Sequence, residues 1–153
     1  HDLFPTLLGA AGIEIPAAHA ARVAGIDLRP VLDGREGPPR DRSLLFHQPH
    51  FWGVNGPGIE PFSAVRVGDH KLIYFHSGAE VDEATGKRTG GPRFELYDLS
   101  TDVGEARDLA ADRPATLAAL AQVLSARLEA AGASMSIDLR SGAPVPMPRA
   151  ALR

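Results

Sequence analysis

Four histidines in the middle of the chain have side chains suited to metal ligation or proton transfer: His47, His50, His70 and His76. His47 and His50 stand on either side of Pro49, so a turn could bring their rings together. His70 and His76 would lie about 20 Å apart in an extended strand, too far to share one metal ion. No Asp or Glu stands at a spacing that completes a familiar ligand set with the first pair. We therefore expect no metal site here; histidines hydrogen-bonded to backbone in a turn are the simpler interpretation.

No nucleophile stands in a recognisable catalytic setting. Ser43, Ser63 and Ser77 lack the flanking glycines of a nucleophile elbow. The chain contains no Cys, which excludes disulfides and thiolate chemistry. No glycine-rich phosphate loop precedes a lysine. The sequence therefore holds no complete catalytic site.

Two cations are placed symmetrically in the stretch "PFSAVRVGDHKLIYF", Pro61–Phe75. Its two apolar runs meet at Gly-Asp, which predicts a two-residue hairpin turn with Arg66 directly opposite Lys71. Opposed like charges destabilise a sheet by up to about 1 kcal/mol unless an anion compensates them. The pair is either an anion-binding site or a structural detail, and Glu95 on the following strand is the first counter-charge that we expect.

An aromatic loop follows the first predicted strand. "RSLLFHQPH" begins as a strand through Phe46, and Pro49 ends regular pairing. "FWGVNGPGIEP" then carries Phe51 and Trp52 among glycines and prolines. A loop of this composition either packs its aromatic side chains or presents them to a ligand.

Composition sets broad limits. A length of 153 residues fits one domain, and a net charge of -3 gives no basic field that would attract nucleic acid. The longest apolar runs are far too short to span a bilayer. The chain begins in a helical pattern without an initiator Met, so we expect it to be a piece of a longer protein, with most of the chemistry upstream.

Apolar periodicity predicts two helices of unequal length. In "DLFPTLLGAAG", Asp2 is the expected N-cap and Gly12 the residue after the C-cap. In "DRPATLAALAQVLSARLEAAG", Asp112 and Gly132 have the same roles. The long helix repeats leucine on one face at Leu117, Leu120, Leu124 and Leu128. The short helix has an apolar stripe that must bury against something: Leu3, Phe4, Leu7, Leu8 and Ala11.

The order of elements predicts an α+β unit. We expect a three- or four-stranded antiparallel sheet with the long helix packed on it, a short N-terminal helix and an extended C-terminal tail. The predicted divisions are a linking helix and loop at 1–42, the sheet and helix at 43–132, and the tail at 133–153.

Several segments, taken in order, resemble the C-terminal part of type I sulfatases of the alkaline-phosphatase-like superfamily. "SAVRVGDHKLIYF" looks like S-A-[IV]-R-x-G-D-x-K-L-I, and "FELYDLSTDVGEARDLA" is similar to E-L-Y-[DN]-L-x-x-D-P-G-E-x-x-[DN]-L-A, with Val103 where the family often has Pro. The other matching segments are "DLFPTLLGAAGIEIP", "GIDLRPVLDG", "SLLFHQPHFWG" and "SGAPVPMP".

The resemblance implies a parent enzyme that hydrolyses sulfate esters with a formylglycine nucleophile and Ca²⁺. The signature C/S-x-P-S-R is absent from this sequence, so the resemblance assigns it no catalytic residue and no cofactor, and we expect it to be inactive alone. It also implies a missing sulfatase core as partner, and a sulfated small molecule or glycan as the parent's substrate. The loop with His47, His50 and Trp52 is the candidate for substrate contact, while the family's sulfate-binding cations lie in the core, which favours a structural role for Arg66 and Lys71.

Two other functions stay open. The parent could be a related phosphoric-ester hydrolase, or the chain could be a non-catalytic glycan-binding or assembly module. The exposed stripe of the first helix predicts self-association if no core covers it. The compartment, whether periplasmic, secreted or cytoplasmic, is not indicated by the sequence.

Overall fold

The computed structural model describes residues 1–37, 39, 42–50, 60–78, 80–82, 84 and 88–152. The backbone divides into two units, His1–Pro39 and Arg40–Arg153. The first unit contains three helices: α1 (Leu3–Ala10), α2 (Ala17–Ala20) and α3 (Arg29–Leu32). Among the described helices of the chain, none is long and apolar enough to cross a lipid bilayer.

The residue after the C-cap of α1 is Gly12, as predicted. Gly12 has a φ of +70°, which favours a residue without a Cβ, and the Ile13 N–H donates to the Leu8 carbonyl at 2.9 Å. The Asp2 carboxylate accepts the Ile26 N–H at 3.0 Å and makes no capping hydrogen bond to α1. Asp2 therefore joins the first helix to the loop that returns beside it.

The apolar stripe of α1 is largely uncovered. Leu3, Phe4 and Leu7 are 71%, 56% and 64% exposed, whereas the buried residues of the helix are Pro5 and Thr6. The first unit by itself does not bury the face that the sequence marks as apolar.

The second unit is an antiparallel sheet with one long helix, so the predicted α+β class is confirmed. Its elements are β1 (Ser43–Gln48), β2 (Phe62–Val67), β3 (His70–Phe75), β4 (Glu80–Val81), β5 (Arg88–Thr89), β6 (Arg93–Asp98), α4 (Pro114–Ala130) and a 3₁₀ helix (Pro148–Ala150). The strand order is β1-β2-β3-β6, and β4 and β5 form a separate two-stranded ribbon.

The β2–β3 hairpin has the predicted register. Arg66 lies opposite Lys71 and Val67 opposite His70. Gly68 has a φ of +57°, and Asp69 is not in the left-handed region, which matches the first position of a type II′ turn. The local turn therefore fixes the pairing of the whole hairpin.

The core forms where one face of the sheet meets α4. Val65, Leu72 and Leu96 occupy one cross-strand row and are fully buried. The buried positions of α4 include all four leucines predicted from the repeat: Leu117, Leu120, Leu124 and Leu128. Burying one such side chain contributes about 1.5–3 kcal/mol, so this face dominates the stability of the unit.

The ends of α4 differ in how well the sequence predicted them. Gly132 has a φ of +60°, and the Ala133 N–H donates to the Leu128 carbonyl at 2.9 Å, which is the predicted C-terminal motif. The predicted N-cap was wrong: Arg113 holds that position without a side-chain cap, and Asp112 instead pairs with Arg107 at 2.9 Å.

The tail is extended only in part. Ile137 and Pro144 form an antiparallel bridge, and the chain then enters the 3₁₀ helix. Val145 and Pro148 are buried, and the Arg149 N–H donates to the hydroxyl of Ser125 on α4 at 3.0 Å. The tail is therefore a packed part of the second unit.

Candidate functional site

Sheet register places two histidines and a serine together at one end of the face that α4 covers. His47 of β1 lies opposite Ser63 of β2, and Ser63 lies opposite Tyr74 of β3. His76 follows Tyr74 by two residues, so its side chain leaves the chain on the same side. The register of the three strands thus places these polar side chains next to one another.

Four side chains form a continuous hydrogen-bonded path there, which we call the histidine–serine network: His47, Ser63, His76 and Ser136. The Ser63 hydroxyl lies 2.9 Å from His47 Nδ1 and 2.9 Å from His76 Nε2. His76 Nδ1 lies 2.7 Å from the hydroxyl of Ser136 in the tail. The network therefore links β1, β2 and β3 to the C-terminal tail.

Both ends of the network reach backbone carbonyls. His47 Nε2 lies 3.0 Å from the Ser134 carbonyl oxygen. The Ser136 hydroxyl donates to the carbonyl of Pro49, the residue that follows β1. The network thus joins the start of the loop after β1 to the tail.

Burial controls the electrostatics of the network. Ser63 is fully buried and His76 is 6% exposed. Burial, and after it the charge of His47, lowers the pKa of His76 to about 4. His76 is therefore neutral at physiological pH, with one ring nitrogen donating and the other accepting.

Tyr74 packs beside the histidine–serine network, opposite Ser63 in the sheet. Its ring stacks on Phe94 at 4.8 Å and lies 5.4 Å from the His76 ring, measured between centroids. The hydroxyl donates to the Pro146 carbonyl at 2.8 Å, and burial raises the pKa of the phenol. Tyr74 therefore stays protonated and holds the tail against the sheet.

Of the three residues predicted to contact substrate, the structure describes His47 and His50. His47 has both ring nitrogens in hydrogen bonds, and His50 is exposed; within the described residues no hydrogen bond or ring contact joins the two. Trp52 lies outside the described residues. The role of the three in substrate binding stays a prediction. The structure brings His47 instead to Ser63 and His76, a grouping that the sequence alone did not indicate because the β1–β2 register was unknown.

The Arg66–Lys71 pair has a counter-charge, although not the one predicted. Lys71 Nζ donates to both carboxylate oxygens of Glu105 at 2.7 Å, and Arg66 Nε donates to the Gly68 carbonyl at 3.0 Å. Glu95 was the wrong choice because it lies opposite Ile73, two cross-strand rows from Lys71, where its carboxylate accepts the Tyr97 hydroxyl at 2.8 Å.

Glu105 reaches Lys71 from an unusual backbone conformation. Its φ of 54° places it in the left-handed region, which costs a non-glycine residue of order 1 kcal/mol. The N–H groups of Ala106 and Arg107 donate to the Asp102 carboxylate at 3.1 and 2.9 Å and shape this turn. Anion binding by Arg66 and Lys71 stays a prediction.

A buried ion pair was missed by the sequence. Glu60 is 4% exposed, and its carboxylate accepts Arg93 Nη2 at 2.6 Å and Nη1 at 2.8 Å. The Arg93 guanidinium also lies 3.9 Å from the centroid of the Phe75 ring and donates to the Ser77 carbonyl at 3.0 Å. The hydrogen bonds to Glu60 raise the pKa of Arg93, so the guanidinium keeps its charge. This pair holds Glu60, two residues before β2, to the first residue of β6.

The calcium that the resemblance implies does not fit the described residues. In that part of the chain no three His, Asp or Glu side chains come together as ligands for a metal ion. Hard cations such as Ca²⁺ need six or more oxygen ligands. The structure therefore assigns no metal role to the residues that it describes.

Comparison with known proteins identifies the fold. No protein-family model and no curated protein matches the chain. Among solved structures, BT4656 in complex with D-glucosamine-2-N,6-O-disulfate is 24% identical with a TM-score of 0.58, over 84% of this chain and 23% of that one. BT1596, a 2-O glycosaminoglycan sulfatase, is 24% identical with a TM-score of 0.59, over 97% of this chain and 29% of that one.

A third similar structure is yidJ from Bacteroides fragilis, a protein assigned to the sulfatases. It is 21% identical with a TM-score of 0.57, over 86% of this chain and 25% of that one. The chain thus has the fold of one part of these larger proteins and spans about a quarter of their length. That fold is the sheet-and-helix unit, with its leading helices, found within solved sulfatases.

Proposed function

We propose that the chain is the C-terminal subdomain of a sulfatase, a hydrolase of sulfate esters whose nucleophile belongs to the rest of the parent protein. The observation that carries this proposal is the fold match over 86% to 97% of the chain with yidJ and BT1596, proteins named as sulfatases that are between three and four times as long. The ordered motifs of the sequence support it, from "DLFPTLLGAAGIEIP" to "SGAPVPMP". Formylglycine and Ca²⁺ then belong to the parent, outside this sequence.

The proposed role of the chain is structural, together with a contribution to the substrate cleft. Leu3, Phe4 and Leu7 are the surface that we assign to contact with the sulfatase core, because α1 exposes them and does not bury them within its own unit. A contiguous apolar surface of this kind is typical of an interaction site.

The loop after β1 is the proposed contact to substrate. His50 is exposed where this loop begins, and Trp52 follows two residues later in a glycine-rich stretch. A histidine can hydrogen-bond a sugar hydroxyl, and an indole can stack on a sugar ring. We propose a sulfated sugar as the substrate class, supported by the bound disulfated glucosamine of BT4656 and by the glycosaminoglycan sulfatase BT1596. His47, held by the histidine–serine network, would position the start of this loop.

The full parent protein is the material for the test, with the 153-residue chain as its control. The parent should release sulfate from sulfated monosaccharides, and the chain alone should release none. Trp52→Ala in the parent should raise KM about tenfold through loss of one aromatic contact. Phe46→Ala removes an aromatic side chain that is 51% exposed on β1, and it should leave KM unchanged.

Each contrary outcome favours a named alternative. Sulfate release by the chain alone would refute the proposal that the nucleophile belongs to the rest of the parent protein. A parent that hydrolyses phosphate monoesters and no sulfate ester would be the related phosphoric-ester hydrolase. Glycan binding by the isolated chain that Trp52→Ala abolishes, with no hydrolysis by the parent, would indicate a binding module.

A further inference from the structure

The histidine–serine network is one hydrogen short of completion when both imidazoles are neutral. The two carbonyl oxygens at its ends accept hydrogen bonds and cannot donate them. Between these ends lie five contacts: carbonyl to His47, His47 to Ser63, Ser63 to His76, His76 to Ser136, and Ser136 to carbonyl. Two neutral imidazoles and two hydroxyls supply one hydrogen each, four in all. One of the five contacts would then join two acceptors.

We propose that the histidine–serine network is a proton-binding site that takes up one proton, and that this proton completes the hydrogen-bonded path between the loop after β1 and the C-terminal tail. With one added proton, every contact has one hydrogen and every hydroxyl both donates and accepts. A second added proton would leave both imidazoles donating to Ser63, whose own hydrogen would have no acceptor. One proton is therefore the number that the geometry fits.

The added proton belongs on His47. His47 is half-buried at the edge of the network, whereas His76 is 6% exposed and pays the larger cost of desolvation. With His47 doubly protonated, Ser63 donates to His76 Nε2, and His76 carries its single hydrogen on Nδ1 and donates it to Ser136. This assignment fixes the tautomer of a buried histidine, which can be measured.

The surrounding charged groups are engaged with one another. Glu60, ahead of β2, is paired with Arg93 of β6, and in the tail Arg140 Nε lies 3.3 Å from Asp138. Tyr74 of β3 keeps its proton and donates it to the tail carbonyl of Pro146. Each carboxylate in these pairs has an arginine partner and neither pair contains an imidazole, so the proposed proton uptake belongs to the network.

The consequence is a pH-dependent tie between two segments. Ser136 and its neighbour Ser134 hold the tail, and Pro49 holds the start of the loop that carries His50. Proton uptake closes the path and fixes these segments to each other, and proton loss opens one contact. This inference rests on hydrogen-bond geometry and stands whether or not the parent is a sulfatase.

Nitrogen-15 NMR of the histidine rings tests the proposal, with resonances assigned through His47→Gln and His76→Gln. Between pH 8 and pH 5 the network should take up one proton, leaving His47 doubly protonated and His76 neutral with its hydrogen on Nδ1. Ser136→Ala removes two contacts and one hydrogen, so neutral imidazoles satisfy the remaining three contacts. The midpoint of uptake should then fall by about one pH unit or more.

A second variant and two controls make the result decisive. Ser63→Ala cuts the network between the two imidazoles, leaves two halves that are complete without an added proton, and should lower the midpoint as well. Ser136→Thr restores the hydroxyl and should restore the midpoint. Tyr74→Phe removes the neighbouring hydrogen bond to Pro146 and should leave the midpoint in place. Equal midpoints in the wild type and Ser136→Ala, or a His76 hydrogen on Nε2 in the protonated network, would overturn the proposal.

Discussion

The two ends of the β2–β3 hairpin use the same kinds of side chain in opposite surroundings. At the open end, Glu60 pairs with Arg93 and is 5% exposed in its side chain, and His76 is almost fully buried nearby. At the turn end, Lys71 pairs with Glu105, with 26% and 29% of their side chains exposed. An acid–base pair stands at each end, and the two pairs differ in the carboxylate, because water reaches Glu105 far more than Glu60.

Burial decides what each pair contributes. Breaking a buried pair leaves a charge without water or partner, which costs about 3–5 kcal/mol. An exposed pair contributes about 1 kcal/mol or less, because water solvates each partner once they separate. We therefore expect the open end to determine stability and the turn end to tolerate substitution.

The largest expected effect is that of Glu60→Gln. Arg93 would keep its charge, with 23% of its side chain exposed, but would lose its two-pronged carboxylate partner and keep only Glu95, whose oxygen lies 3.7 Å from Arg93 Nε. We expect the free energy of unfolding to fall by about 3 kcal/mol, measured by urea denaturation. Glu129→Gln is the matched control, because Glu129 accepts the same two-pronged contact from Arg149 with both side chains 43% exposed. It should cost about 0.5 kcal/mol or less, and equal losses would break the comparison.

We also expect acid to lower the stability of the fold mainly through His76 at the open end of the hairpin. The pKa of His76 is about 4 in the folded chain and near 6.5 when unfolded, so the unfolded state binds the proton first. The stability that His76 contributes is complete above about pH 6.5 and is lost as the pH falls toward about 4. We expect a loss of about 2 kcal/mol over this window, seen as a fall in the free energy of unfolding.

Substitutions of His76, directly after β3, and of His70, at the turn end of β3, separate this effect from general acid denaturation. His76→Gln should flatten the pH dependence between those limits. His70→Gln, at the turn end of the same strand, should retain it. An unchanged slope in the His76 variant would show that burial of this imidazole does not govern acid stability.

Patterns between residues close in sequence predicted the main elements of the fold. A Gly-Asp turn between two apolar runs fixed the hairpin and its register, and the leucine repeat fixed the buried face of α4. The cap of α4 was misplaced by one residue, because Asp112 and Arg113 both come shortly before Pro114, and Asp112 instead pairs with Arg107. Short-range patterns therefore predict elements better than their ends.

The candidate site was hidden because its parts are distant in sequence. His47 meets Ser63 only through the β1–β2 register, which no tight turn sets. Ser136 reaches His76 from a tail whose prolines suggested an extended segment, and Glu60 and Arg93 are 33 residues apart. Glu105 was missed for a related reason, since its left-handed backbone has no signal in a residue type that rarely adopts it.

The smallest expected effect is that of Arg66→Ala at the turn end. Arg66 is exposed and donates to the Gly68 carbonyl, while Glu105 already neutralises Lys71. We expect a change in the free energy of unfolding of about 0.5 kcal/mol or less, and no change in affinity for a sulfated ligand followed by calorimetry. Lys71→Met is the control: it leaves Glu105 without its cation in a strained backbone and should cost about 1 kcal/mol. A sulfate affinity that Arg66→Ala abolishes would instead make the turn end an anion site, and the contrast between the two ends would then be one of function as well as burial.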